Sequence, residues 1–455
     1  MKHKQIMIFL AVCAVFTLFV HASFAAVSAE EAAKLKTTLT PMGAERAGNA
    51  DGSIPAWTGG YTTVSPGWKT GMDRPDMFPN DKPLYSITGK NMDKYADLLS
   101  EGVKYLLKKF PEYRLDVYPT RRTLALPQYI YDWTFKNATT AQLKDNGLNL
   151  ENAYSGAPFP IPKNGNEVMW NHLTAYNGST IRNGLSSLLV HPNGDIINTV
   201  SGTQYVQFAY NMGNTLPYEK WTHENFLNHF NVMAPPFKAG ESIMWRDPMD
   251  QYHNNRIAWQ YLSGQRRVRR APAISYDTPD FISSGQTLFD EAFFFNGALD
   301  RYEWKLLGKK EMIVPYNSNK FNHAKIKDAY MKGHENPDFM RWEKHRVWVV
   351  EATLAPGKRH TVPHRVFWID EDSWHAVLSD GYDAQGKLWR AIIALPEVCP
   401  DIPALIWYPC FIHLLPEGSY LGWAIWNEQS PAFELMPPRP RDYYTGENLG
   451  AMGVR

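Results

Sequence analysis

Apolar and polar positions alternate through much of the second half of the chain, which predicts strands joined by short turns. Ile257, Trp259 and Tyr261 alternate with Ala258, Gln260 and Leu262, and Ser263-Gly264 then turns into Arg266-Arg-Val-Arg-Arg270. Tyr302, Trp304 and Leu306 alternate with Glu303, Lys305 and Leu307. Trp348, Val350, Ala352 and Leu354 form one apolar face, opposite Val347, Val349, Glu351 and Thr353. Val366-Phe-Trp-Ile369 is turned by Asp370-Glu-Asp-Ser373 into Trp374-His-Ala-Val-Leu378, and Asp383-Ala-Gln-Gly386 turns into Leu388-Trp-Arg-Ala-Ile-Ile393. This period of two sets in near Gly202. Strands so short, separated by polar turns, pair as consecutive antiparallel hairpins, a meander. One face of such a sheet needs cover, which helices and Pro-rich segments must supply.

The 3.6 period belongs to the N-terminal part. Met92, Tyr95, Leu99, Val103, Leu106 and Phe110 predict one helix over Asn91 to Phe110, with Lys108 and Lys109 suiting its C-terminal dipole and Pro111 ending it. Ser28-Ala-Glu-Glu31 is a capping box before Ala32, Ala33 and Leu35. A Gly/Pro-rich extended stretch runs from Gly48 to Gly60, and a short helix is expected between His223 and His229. The chain divides into a leader over 1–25, a helical and extended region over 26–160 that packs on the sheet, the sheet itself over 161–436, and an extended tail over 437–455. The class is β-rich α+β.

The leader changes the picture of where the protein works. Lys2 and Lys4 precede an apolar run from Ile6 to Val20, and small residues follow it. Such a run makes about 22 Å of helix, short of the roughly 30 Å hydrocarbon layer, so it reads as a cleaved secretory signal with Ala25 at the cut. Cys13 is no lipidation site, because Val12 is too bulky before it. No later segment is apolar enough to span a membrane, so the periplasm is the expected compartment. Cys399 and Cys410 are the thiols left after processing. Eleven residues apart in an oxidising compartment, they are expected to form a disulfide, contributing about 3 kcal/mol.

Composition excludes other classes. With 44% apolar and 14% aromatic residues the chain is neither disordered nor fibrous, and 47 Lys and Arg against 46 Asp and Glu leave no basic field for a nucleic acid. No nucleophile elbow, dinucleotide or phosphate loop, zinc helix or calcium loop is present. His360 and His364 flank Pro363 in a strand-like segment and are expected to be surface residues rather than metal ligands. Glu371 and Asp372 are expected to accept backbone hydrogen bonds in their turn. No catalytic residue, cofactor or metal is predicted. The arginines Arg266, Arg267, Arg269 and Arg270 read either as a charge-protected sheet edge or as a contact for an anionic headgroup or acidic partner. Trp259, Tyr261, Trp304, Trp348, Val350, Leu354 and Trp368 read either as plain core or as the lining of a cavity for an apolar ligand.

Trp259-Gln-Tyr-Leu-Ser-Gly-Gln-Arg-Arg-Val-Arg-Arg270 and the hairpin at Arg365-Val-Phe-Trp-Ile-Asp370 resemble the periplasmic lipoprotein-sorting proteins of the LolA and LolB type. Nearly the whole chain is similar to the bacterial group called domain of unknown function 1329, through Asp51-Gly-Ser-Ile-Pro-Ala-Trp-Thr-Gly-Gly60, Arg269-Arg-Ala-Pro-Ala-Ile-Ser-Tyr-Asp-Thr-Pro279, Asp300-Arg-Tyr-Glu-Trp-Lys-Leu-Leu-Gly-Lys-Lys310 and Arg341-Trp-Glu-Lys-His-Arg-Val-Trp-Val-Val-Glu351. The resemblance implies an incomplete, half-open antiparallel barrel around a helix-covered hydrophobic cavity. It also implies service beside outer-membrane barrels and resistance-nodulation-division exporters. Two functions follow as expectations: a periplasmic carrier for a lipid, a lipoprotein acyl chain or another hydrophobic molecule, or a non-catalytic adaptor in an envelope export complex.

Overall fold

The computed structural model describes residues 26–271, 275–281, 283–431 and 433–453. The expected leader lies outside them. Seven helices are described: α1 Ala29–Ala33, α2 Glu101–Lys109, α3 Gln128–Thr140, α4 Gly165–Leu173, α5 Asn319–Asn322, α6 Ile326–Ala329 and α7 Gly446–Gly453. The main sheet contains β1 Tyr85–Thr88, β2 Arg114–Val117, β3 Thr180–Val190, β4 Ile196–Phe208, β5 Glu224–Ala234, β6 Ser242–Pro248, β7 Ile257–Leu262 and β8 Arg267–Arg270. It continues with β9 Tyr302–Pro315, β10 Trp342–Leu354, β11 His364–Asp370, β12 Ala376–Tyr382, β13 Leu388–Ala394, β14 Cys410–Leu414, β15 Ser419–Ile425 and β16 Glu434–Leu435.

The spatial order is β1-β2-β10-β11-β12-β13-β14-β15-β3-β4-β5-β6-β7-β8, with β9 also on β10 and β16 on β3. Every pairing is antiparallel except a single parallel contact between β2 and β10. The order does not return on itself, so the sheet is the unclosed barrel expected. It also curls. Trp423 on β15 and Ala258 on β7 line one small pocket although five strand spacings, about 24 Å in a flat sheet, separate their strands.

Register assigns each residue to a face. The concave face carries Trp304, Val350 and Phe367, then Arg365, Arg390 and Ile412, and at the far end Gln204, Phe226, Trp245 and Ala258. It is covered by α4 and by residues 275–281 and 283–301 of the long connection between β8 and β9. The convex face is covered by α2 over β12 and β13, by α6 and its flanks over β14 and β15, and by α7 over β6 to β8. No helix among the described residues is long and apolar enough to cross a membrane.

Several local expectations need correction. The helix over 91–110 is two: a 3-10 turn at Met92–Leu98, an extended Leu99, and α2, whose first turn Ser100 caps by accepting the Val103 N–H at 3.2 Å. The Ser100 hydroxyl competes for backbone groups and starts a new helix rather than sitting inside one. The capping box at Ser28 and Glu31 is present. His223 and His229 frame no helix, because the segment is β5. The run of consecutive long strands starts at Thr180, earlier than Gly202, the two short strands β1 and β2 of the same sheet lie farther upstream, and the tail past Pro437 folds back into α7.

Cys399 and Cys410 are free and buried. Cys399 ends a small hairpin strand, while Cys410 sits in the main sheet between Ala394 and Trp423. Burial pushes both thiols well above the usual range. Unreduced native protein is therefore expected to resist alkylation, and denatured unreduced protein to label at both positions. Labelling at neither position after denaturation would show a bridge.

Candidate functional site

The covering segment crosses the concave face as a strap held by buried charge. Asp290 accepts from Arg365 at 3.1 Å and lies 3.0 Å from His360 Nε2, and Glu291 accepts from Arg390 at 2.7 and 3.0 Å. Burial works against ionised Asp290, but Arg365 and His360 outweigh it and hold its carboxyl below the usual range. His360 is thus not the surface residue expected, since its side chain is wholly enclosed; His364 remains partly exposed, against Glu351. Beyond the acids the strap inserts aromatic rings. Phe293 lies 4.8 Å from Tyr408, 5.6 Å from Trp423 and 5.9 Å from Phe226, and Phe295 lies 4.9 Å from Trp304. Phe293 and Phe294 both have positive φ, at 55° and 72°, a costly backbone for bulky residues.

Between strap and sheet remains an apolar pocket of about 90 Å³. Phe226, Ile243, Trp245 and Ala258 form its floor, and Phe281, Phe289 and Phe293 its roof. Arg256 stands at its rim, with its guanidinium 4.0 Å over the Phe289 ring and paired with Asp247. On the other side of this sheet end is a polar cleft of about 810 Å³, walled by Trp221, His223, Arg246, Arg270 and Arg441 and again bordered by Arg256. Burial and the nearby Arg441 lower the Arg246 pKa, against the opposing pull of Glu224 3.6 Å away.

The seven apolar residues singled out from sequence do not gather here. Trp304, Trp348, Val350 and Leu354 share the concave face; Trp368, opposite Val349, is on the convex one. Trp348 is covered by the Lys309 ammonium, 4.7 Å above its ring, and stacks on Trp374. Trp259 and Tyr261 face α7 on the convex side. Gly446 leaves space for the Trp259 ring, and the Tyr261 hydroxyl donates to the Gly453 carbonyl at 2.6 Å. Of the arginines, Arg266 occupies the left-handed turn at φ 48°, and Arg267, Arg269 and Arg270 are exposed on β8, the last strand of the sheet. That is the charge-protected edge. Arg269 donates to Gln260 at 2.9 Å, and Arg270 alone of the four reaches the polar cleft.

Sequence reasoning missed a buried polar cluster at the β11–β12 turn. Glu371 and Asp372 do not simply cap backbone there. Arg122 chelates Asp372 at 2.6 and 2.9 Å, and Arg346 and Lys309 hold Glu371 at 2.6 and 2.8 Å. Beside them, His345 stacks on Tyr316 at 3.8 Å, and the Tyr316 hydroxyl donates to Asp370 at 3.2 Å. Burial and the adjoining Asp372 push Asp370 up to about 7. His345, Asp370 and Asp372 each bring one ligand atom within 4.8 Å of the others. The turn pattern of the four residues gave no hint of this, because the partners come from distant strands.

The profile of the family described as "Protein of unknown function (DUF1329)" matches residues 86–450. An uncharacterized protein of Pseudomonas aeruginosa is 40% identical over 462 residues, covering 100% of both chains. Among solved structures, a DUF1329 family protein from Desulfovibrio piger is 14% identical, covers 60% of this chain and 91% of its own, and superposes with a TM-score of 0.37. A putative outer membrane lipoprotein-sorting protein domain from Vibrio parahaemolyticus is 11% identical, covers 60% and 92%, and gives 0.39.

Proposed function

The chain belongs to the DUF1329 family, and we propose that it is a periplasmic, non-enzymatic carrier that takes up an apolar chain between the concave sheet face and its strap. The observation that carries this reading is the pocket itself, an apolar, aromatic hollow roofed by a segment that is separate from the sheet beneath. Lined mostly by carbon, with Gln204, Arg256, Asp280 and Asn296 as its polar residues, it favours an apolar guest. At about 90 Å³ it seats the end of a chain; rings such as Phe281 and Phe293 must move aside for the rest. Each methylene withdrawn from water contributes about 0.8 kcal/mol, enough to offset that movement over a few carbons. The export signal read at the N-terminus puts the carrier in an aqueous gap, where an acyl chain needs one. Arg256 borders both hollows, so an acidic headgroup could rest in the arginine-walled cleft.

Organic extracts of the purified protein are expected to contain lipid by mass spectrometry, and a fluorescent fatty acid should bind. Trp245→Asp puts a charge in the guest's path, and Ala258→Leu fills the floor without adding one. Each should weaken the probe at least about tenfold, roughly 1.4 kcal/mol, with far-UV dichroism unchanged. Wild-type protein with neither extractable lipid nor probe uptake would end the carrier reading. The adaptor reading would then stand, favoured by Phe237 and Met233 at the β5–β6 hairpin tip, 80% and 67% exposed.

A further inference from the structure

The turn after β11 holds a donor set that carriage of an apolar chain does not use. His345 lies on β10, Asp370 ends β11 and Asp372 follows in the turn; all three are buried, with one ligand atom of each within 4.8 Å of the others. Two independent observations point to an ion. Asp370 Oδ2 accepts from the Ser373 N–H at 2.9 Å, the Ser373 hydroxyl at 2.6 Å and the Tyr316 hydroxyl at 3.2 Å. Its Oδ1, equally enclosed, accepts from nothing, and among the described residues no Lys or Arg pairs with Asp370. A buried carboxylate oxygen without a partner is costly and rare. The second observation is the orientation of the imidazole. Glu343 accepts the His345 Nε2–H at 2.9 Å and is itself fixed by Arg341 at 2.6 Å. In the neutral ring this makes Nδ1 the lone-pair nitrogen, the arrangement that an outer carboxylate imposes on a metal-bound histidine.

We propose that His345, Asp370 and Asp372 bind a divalent transition-metal ion of the zinc or manganese class. One imidazole and two carboxylates, with no thiolate, form a donor set of that type. Donors around a tetrahedral ion at about 2.1 Å stand about 3.4 Å apart, so a set within 4.8 Å closes by small side-chain rotations. Arg122 does not fill this role, because it balances Asp372, and each oxygen of Asp372 keeps a second lone pair. The site is structural. It would pin the β11–β12 turn to β10, and its depth means that the ion is loaded as the chain folds.

Full-length protein released by osmotic shock, with no chelator or metal resin used, is expected to contain about one equivalent of metal per chain by elemental analysis. Protein refolded with Co²⁺ should show a visible ligand-field band. Asp370→Asn and His345→Gln should lose both signals, and Glu343→Gln should weaken the ion about 10- to 100-fold. Less than about a tenth of an equivalent in wild-type protein, together with no Co²⁺ band after refolding, would overturn the site and leave a proton on Asp370 in its place. That wild-type result decides the matter even if the variants do not fold. It is also independent of lipid uptake.

Discussion

Arg365→Met is expected to release the strap: a loss of about 3–5 kcal/mol in unfolding free energy, accompanied by faster and greater uptake of a hydrophobic probe. The substitution keeps the length and apolar stem of the side chain but leaves Asp290, fully buried, with His360 as its remaining partner. Removing one member of a buried pair costs more than the pair contributed, because the other charge cannot regain water. The strap can relieve that cost by lifting Asp290 toward solvent, which also withdraws Phe293 from among Tyr408, Trp423 and Phe226. Denaturant unfolding measures the first effect, and stopped-flow binding of the fatty acid probe the second. A double variant, Arg365→Met with Asp290→Asn, should recover much of the stability, since both charges are then gone. A loss under about 1 kcal/mol, or lower uptake with stability reduced, would show that the ion pair does not latch the strap.

How this latch escaped the sequence reading follows from what alternation can and cannot say. Alternation located β7 and β13 almost to the residue and β9 to β12 in part, because a strand buried on one face repeats every two positions, whereas β9 runs on to Pro315 past the expected Leu307 and β12 reaches Tyr382 past the expected Leu378. It could not say which face was concave, since both faces of this sheet are covered. On β7 the larger set, Trp259 and Tyr261, turned out to pack beneath α7, and Ala258 of the smaller set faces the hollow. Residues 275–301 show no such period, so nothing in the sequence marks them as a roof. The same holds at the β11–β12 turn. Asp370-Glu-Asp-Ser373 has the composition of an exposed turn, and only the fold brings Arg122, Arg346 and His345 against it. Partners contributed by remote strands leave no spacing in a single sequence. The positions of several strands were legible, but the partners of the buried charges were not.

Asp380→Asn is expected to make the protein more stable than wild type at pH 8 and to lose most of that advantage at pH 5. Asp380 lies on β12 under the first turn of α2, where Gly102 donates its N–H at 3.0 Å and Ser100 lies 3.4 Å away. A glycine is required there: a Cβ on residue 102 would stand 2.4 Å from the carboxylate and 2.5 Å from the Ala391 methyl. A carboxylate at a helix N-terminus ordinarily titrates low. Here complete burial outweighs those donors and pushes Asp380 up to about 7. The folded state therefore holds a proton that the unfolded chain, with its ordinary value near 3.8, releases much earlier. Between those values the native state binds more protons, so stability falls as pH rises from about 4 to about 7. Over that whole range the loss amounts to about 4 kcal/mol. Asparagine has no charge to bury, still accepts from Gly102 through Oδ1, and can donate to Ser100 Oγ. Subtracting wild-type from variant unfolding free energies, measured in urea at pH 5 to 8, cancels the titration of every other group. The difference should grow with pH in favour of the variant and level off above about pH 7. A difference independent of pH would mean that Asp380 ionises freely in place, its charge balanced by the end of α2.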